Sequence, residues 1–163
     1  MMNFFEPNCQ EPEITTSEFG ICDDLNGHVA YTDRHNISKW IAVVRNKTNE
    51  KLTFTAIDKC IIKDSEEPGR GRCDAMLTTK KHLILIELKN QDRNWKTHAI
   101  SQLESTIQFL INSHDISQYK YKKAFACNKS QPRFQEIDNE QNLRFFRKYG
   151  FRLDVQTEII IIA

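Results

Sequence analysis

The segment Cys73–Gln91, CDAMLTTKKHLILIELKNQ, constrains the fold of this chain more than any other stretch. The unbroken leucine and isoleucine run Leu83–Ile86 leads directly into Glu87, Leu88 and Lys89. Side chains alternate faces along a strand, so Glu87 and Lys89 share a face. Asp74–Thr78 reads as the partner strand. With Lys80 and Lys81 as a two-residue turn, Thr79 pairs with His82, and counting back along both strands sets Asp74 directly opposite Glu87. A four-residue loop preserves that register. The two carboxylates then have Cβ atoms roughly 4.5–5.5 Å apart. Ala75, Leu77, Ile84, Ile86 and Leu88 fall on one face, and Met76, Leu83 and Leu85 share the other with the charged trio. Strands apolar on both faces are normally covered on both sides, which argues against a solvated hairpin.

Carboxylates opposed across a sheet repel, and in a poorly solvated site they cannot both ionise cheaply. A divalent cation between them removes the conflict, and hard oxygen ligands suit Mg²⁺ or Mn²⁺.

At these residues the chain resembles the PD-(D/E)xK nuclease superfamily, with Asp74 as the first acid and Glu87-Leu88-Lys89 as the (D/E)xK element. The resemblance runs from about Leu52 to the C-terminus and departs at Cys73, where the motif's name has proline. It implies that Asp74, Glu87 and the backbone carbonyl of Leu88 bind Mg²⁺ or Mn²⁺, and that Lys89 serves the hydrolysis of a phosphodiester. Two adjacent carboxylates favour the ammonium form of a lysine, so charge stabilisation and positioning are expected of Lys89 rather than proton abstraction. Many relatives place a glutamine on the following helix, some within Q-x-x-x-Y. Gln102 takes that place here, with Thr106 four residues later. Arg72 and Lys96 flank the motif and are expected to contact substrate. An upstream acid often completes such sites; Glu11, Glu13 and Glu18 are candidates, and nothing in the sequence selects among them.

The rest of the chain is read around this centre. At 163 residues it fits one domain over 1–163. Residues 1–27 read as an irregular lead-in and lack the features of a signal peptide. Asp33–Asn46 reads as a helix on the spacing of Ile37, Ile41 and Val44, with Asn36 or Ser38 as cap. Leu52–Ile62 reads as a strand, Asp64–Arg72 as a Gly/Pro connector, and Lys96–Asn112 as the strongest helix. The apolar stripe of that helix is Ile100, Leu103, Ile107, Leu110 and Ile111, with Ala99 at its margin. Tyr121–Cys127 reads as a strand, Ile137–Tyr149 as a helix stopped by Gly150, and Glu158–Ile162 as the last strand. This order predicts helices on both faces of a central mixed β-sheet, a three-layer α/β/α sandwich. It agrees with the restriction-endonuclease-like αβββαβ core that the resemblance implies.

The five cysteines show no C-x-x-C spacing, which predicts neither a disulfide framework nor a zinc site. No stretch reaches the roughly 20 apolar residues of a membrane span, and the cytoplasm is the expected compartment. Net charge is +1, so nucleic-acid binding is read from local clusters instead. Arg70, Arg72, Lys80, Lys81, Lys89, Arg93 and Lys96 flank the motif, with further clusters at Lys120–Lys129 and Arg144–Arg152. Two functions remain in view. One is a metal-dependent nuclease acting on nucleic acid, with DNA the leading substrate. The other is a catalytically silent nuclease-like domain that binds a protein or nucleic-acid partner. A homodimer or partner protein would supply target selection to so short a chain.

Overall fold

The computed structural model describes residues 2–24, 27–63, 71–133, 135 and 139–163. Among the described residues nine strands form two mixed sheets, and two α-helices cover one of them. The larger sheet has the order β4-β5-β6-β7-β8, from β4 (Thr53–Ala56), β5 (Ala75–Thr78), β6 (His82–Lys89), β7 (Tyr121–Asn128) and β8 (Arg152–Val155). Strands β4, β5 and β6 form an antiparallel meander, whereas β6, β7 and β8 run parallel. Parallel neighbours need crossover connections. Helix α1 (Lys96–Ser113) links β6 to β7, and α2 (Asn139–Tyr149) lies between β7 and β8.

The hairpin register agrees with the sequence arithmetic. Ala75 pairs with Ile86, Met76 with Leu85, Leu77 with Ile84 and Thr78 with Leu83. The two faces of β6 enter different cores, as expected. Met76, Leu83 and Leu85 pack with Leu103, Ile107 and Leu110 of α1. Ala75, Leu77, Ile84, Ile86 and Leu88 pack with the smaller sheet.

That smaller sheet replaces the second helical layer. It has the order β2-β1-β3-β9, from β1 (Glu18–Cys22), β2 (Tyr31–Asp33), β3 (Ala42–Arg45) and β9 (Glu158–Ile160). Phe19, Ile21, Ala42, Val44 and Ile159 contribute its side of the shared core. The helix expected over Asp33–Asn46 is therefore corrected to a strand, a short 3-10 turn at Ile37–Lys39, and β3. The apolar spacing that suggested a helix misled because Ile37 is 69% exposed. Asp33 closes the turn instead: its Oδ2 accepts from the N–H of Asn36 (2.7 Å) and from Trp40 Nε1 (2.8 Å). Gly20 is required opposite that turn, since a Cβ there would lie 2.0 Å from the Trp40 ring.

Further expectations change. The N-terminal lead-in contains β1, and its bridges Gln10↔Thr55 and Ile14↔Leu52 cover the open edge of the larger sheet, which would otherwise present unpaired backbone groups. The Leu52–Ile62 strand stops at Ala56, because Lys59 is left-handed (φ 71°) and the Ile62 N–H turns back to Ile57. Cys9 and Cys60 form a disulfide that ties the lead-in to this turn, contrary to the expectation of free cysteines. Strand β8 was not anticipated, and β9 ends at Ile160 rather than Ile162. The buried stripe of α1 is rotated toward Ala99 and Thr106, both fully buried, while Ile111 is 41% exposed. Gly150 stops α2 with φ 75°, its N–H bonded to the Phe146 carbonyl. The Asp64–Arg72 connector lies outside the described residues except for Gly71 and Arg72, and Ile137 lies outside them too. No helix among the described residues is long and apolar enough to cross a membrane.

Candidate functional site

The site gathers where β5 begins and β6 ends. Asp74 precedes the first paired residue of β5, and its N–H turns to the Ile86 carbonyl (3.0 Å). The strand therefore bends at Asp74, and the side chain reaches along β6. Its Oδ2 accepts the Leu88 N–H at 2.7 Å. Backbone N–H and C=O groups of one strand residue leave by the same edge, so the Leu88 carbonyl also faces this side of β6. The Asp74 and Glu87 carboxyls lie within hydrogen-bonding reach of each other. Lys89 Nζ stands 3.2 Å from Glu87 Oε2. The trio expected from sequence is thus brought together.

Burial makes this arrangement costly. Glu87 is 2% and Asp74 9% exposed. Loss of solvent pushes the Asp74 carboxyl up to about 6, against the partial relief of the Leu88 N–H. Glu87 is raised well above the ordinary carboxylate range, by burial first and by the Asp74 charge second, with Lys89 opposing. Glu87 Oε1 is buried with no donor reaching it. Buried charges are tolerated when paired, and one ammonium cannot neutralise two carboxylates. A shared proton or a bound cation is needed.

The Asp74 backbone is held by a residue that the motif does not include. Thr106 Oγ1 accepts the Cys73 N–H at 2.7 Å and donates to the Gln102 carbonyl at 2.9 Å. A proline at position 73 has no N–H and would forfeit this contact, which gives the departure from the motif a physical counterpart. The loop after Lys89 is fixed by the fully buried Asn128, which accepts from the Gln91 N–H (3.1 Å) and donates to the Gln91 carbonyl (2.7 Å). Neither residue carries a sequence signal, because each acts through a partner more than 30 residues distant.

The other expected residues divide. Gln102 Nε2 donates to the Arg72 carbonyl at 3.4 Å, and its Oε1 is buried without a donor. Arg72 Nε pairs with Asp58 at 2.9 Å, so its guanidinium is already engaged within the protein. Lys96 opens α1 and is half-buried. Of the upstream acids, Glu11 is bound to Thr32 and Glu18 to Arg45. Glu13 is exposed. The negative charges that reach Asp74 come instead from Asp23 and Asp58. Among the described residues no group of three or more histidine, cysteine, aspartate or glutamate side chains is arranged to hold a metal ion. The basic clusters also separate. Lys80 and Lys81 occupy the hairpin turn at the far end of β5 and β6, and the Tyr121 N–H bonds to the Lys81 carbonyl, so Lys120, Lys122 and Lys123 lie at that end too. At the site end Lys129 is held against Lys89 by backbone (2.9 Å), with Arg93 in the adjoining loop.

Comparison with protein-family models, with curated proteins and with solved structures gives no match to this chain.

Proposed function

We propose that the chain is a metal-dependent nuclease that hydrolyses phosphodiester bonds at the Asp74–Glu87–Lys89 site, with DNA as the leading substrate. The observation that carries this reading is the buried carboxyl pair with an undonated Glu87 oxygen. Hard oxygen donors from Asp74, Glu87 and the Leu88 carbonyl fit Mg²⁺ or Mn²⁺, and these are the residues that would hold it. Such a cation supplies Lewis acidity and an activated water. The chain's own groups do the remainder. Thr106 fixes Asp74 through Cys73, and Leu88 N–H orients its carboxylate. The Lys89 ammonium, held by Glu87 with its side chain only 12% exposed, is placed to meet negative charge developing on the phosphoryl oxygens. Arg93 and Lys96 follow Lys89 at this end of the sheet and suit flanking phosphates, whereas the Lys129 ammonium is engaged by the Ser38 carbonyl.

The order β4-β5-β6-α1-β7 supports the resemblance to the restriction-endonuclease-like core, although a β-sheet stands where that core has its leading helix. The test is cleavage of single- and double-stranded DNA and RNA with and without Mg²⁺ or Mn²⁺, beside Asp74→Asn. Metal-dependent cleavage that Asp74→Asn abolishes supports the reading. No cleavage of any substrate by the wild type would make the silent binding domain the better account.

A further inference from the structure

A cavity of about 540 Å³ opens at the far edge of the larger sheet, between α2, β8 and β9. Its volume lies within the range of small-ligand sites. Lys123 of β7 and Arg152 of β8 line it and stand in register across the two parallel strands. Strand alternation puts Phe125 and Asp154 on the same face as these two cations. Neither cation forms an ion pair with any described residue. Among the described residues Asp154 is the one acid in the lining, and both cations act on its carboxyl, two positive charges to one negative.

The opposite wall is apolar and open. Leu143 and Phe146 of α2 are 51% and 50% exposed, although α2 buries Phe145 against the core. Asn142 and Gln156 add carboxamides, each offering both a donor and an acceptor. This combination excludes the plain aliphatic carboxylate as the best-matched ligand, because the amides would then face methylene groups.

We infer that this cavity binds a nucleotide, its base against Phe146 and Leu143, its base edge facing Asn142 and Gln156, and its phosphate between Lys123 and Arg152. Aromatic faces and carboxamides are the usual means by which unpaired bases are held and read. The inference does not depend on the nuclease reading: Lys123, Phe125, Arg152 and Asp154 lie on the sheet face opposite α1, whereas Glu87 and Lys89 lie on the α1 face. A free mononucleotide and one nucleotide of an unpaired strand present the same chemistry.

The test is a calorimetric titration of the full chain in metal-free buffer with AMP, adenosine, ribose 5-phosphate and a single-stranded deoxythymidine oligonucleotide. Arg152→Ala and Phe146→Ala alter exposed side chains, and unchanged melting curves would show that both variants fold. Saturable binding of AMP, stronger than that of adenosine or ribose 5-phosphate and weakened at least ~10-fold in each variant, supports a free-nucleotide site. Binding of the oligonucleotide alone, with the same loss in both variants, supports a strand-nucleotide site. Absence of binding, equal binding of ribose 5-phosphate and AMP, or affinities that neither variant changes would overturn the inference.

Discussion

Two groups of acids in this molecule carry the same functional group and meet opposite fates. Glu18 and Glu158 extend from β1 and β9 on either side of β3, and both bind Arg45. Their side chains are 46% and 48% exposed, so water shares the cost of their charge. Glu87 has Asp74 as its neighbour, almost no water, and one cation for two carboxyls. The first group holds a strand edge together and is complete in itself. The second is incomplete without a proton or an added cation, and that incompleteness is what distinguishes a site from an ordinary ion pair.

The sharpest way to break this contrast is to remove one cation from each group. Lys89→Ala should lower single-turnover cleavage by at least ~10²-fold, the scale of losing one preorganised charge-stabilising group. Binding of substrate in Ca²⁺ should change far less, because Arg93 and Lys96 remain. Arg45→Ala should leave cleavage unchanged, and equal losses in the two variants would erase the distinction.

The pH dependence of stability gives the next largest effect. The folded Asp74 carboxyl is raised to about 6 from an ordinary 3.8, so folding favours its protonated form. Its contribution is fully present below pH 3.8 and is lost as pH rises through about 6, on the order of 3 kcal/mol in metal-free protein. Urea unfolding across this window should show a smaller loss in Asp74→Asn than in wild type, the remainder belonging to Glu87, which burial raises without help from Asp74. Parallel profiles for the two proteins would mean that the carboxyl pair is better solvated than its burial indicates.

Thr106→Val keeps the side-chain shape but leaves the Cys73 N–H without its acceptor, at a cost of about 1–3 kcal/mol. It should also slow cleavage, since Asp74 adjoins Cys73, while Thr55→Val on the neighbouring β4 should not. Smallest of all, Arg45→Ala should cost less than about 1 kcal/mol per exposed pair and lose even that in high salt.

The same contrast explains how much could be read from sequence. The β5–β6 hairpin was legible because a short turn and strict alternation fix a register by counting, and Leu83–Ile86 left no face for solvent. Helix α1 was legible for similar reasons, although small residues drew the helix closer along Ala99 and Thr106 than the large ones suggested. The smaller sheet was not, because its pairings are remote: β3 lies beside β9, more than 100 residues away in the chain. Local spacing around Ile37, Ile41 and Val44 could not reveal a parallel neighbour. The Cys9–Cys60 pairing and the approach of Asp23 and Asp58 to Asp74 arise from the same long-range folding. Of the site, the motif residues were legible and their supports Thr106 and Asn128 were not.

The central claim is that the Asp74–Glu87 pair exists to share a divalent cation. A calorimetric titration of Mn²⁺ into wild type, Asp74→Asn and Glu87→Gln at pH 7.5 (above the Asp74 value of about 6) tests it most directly. Each substitution should weaken binding at least ~10-fold, the loss of one charged ligand, while the melting temperature of the metal-free variants stays equal to or above that of wild type. Identical Mn²⁺ affinity in all three proteins would contradict the account.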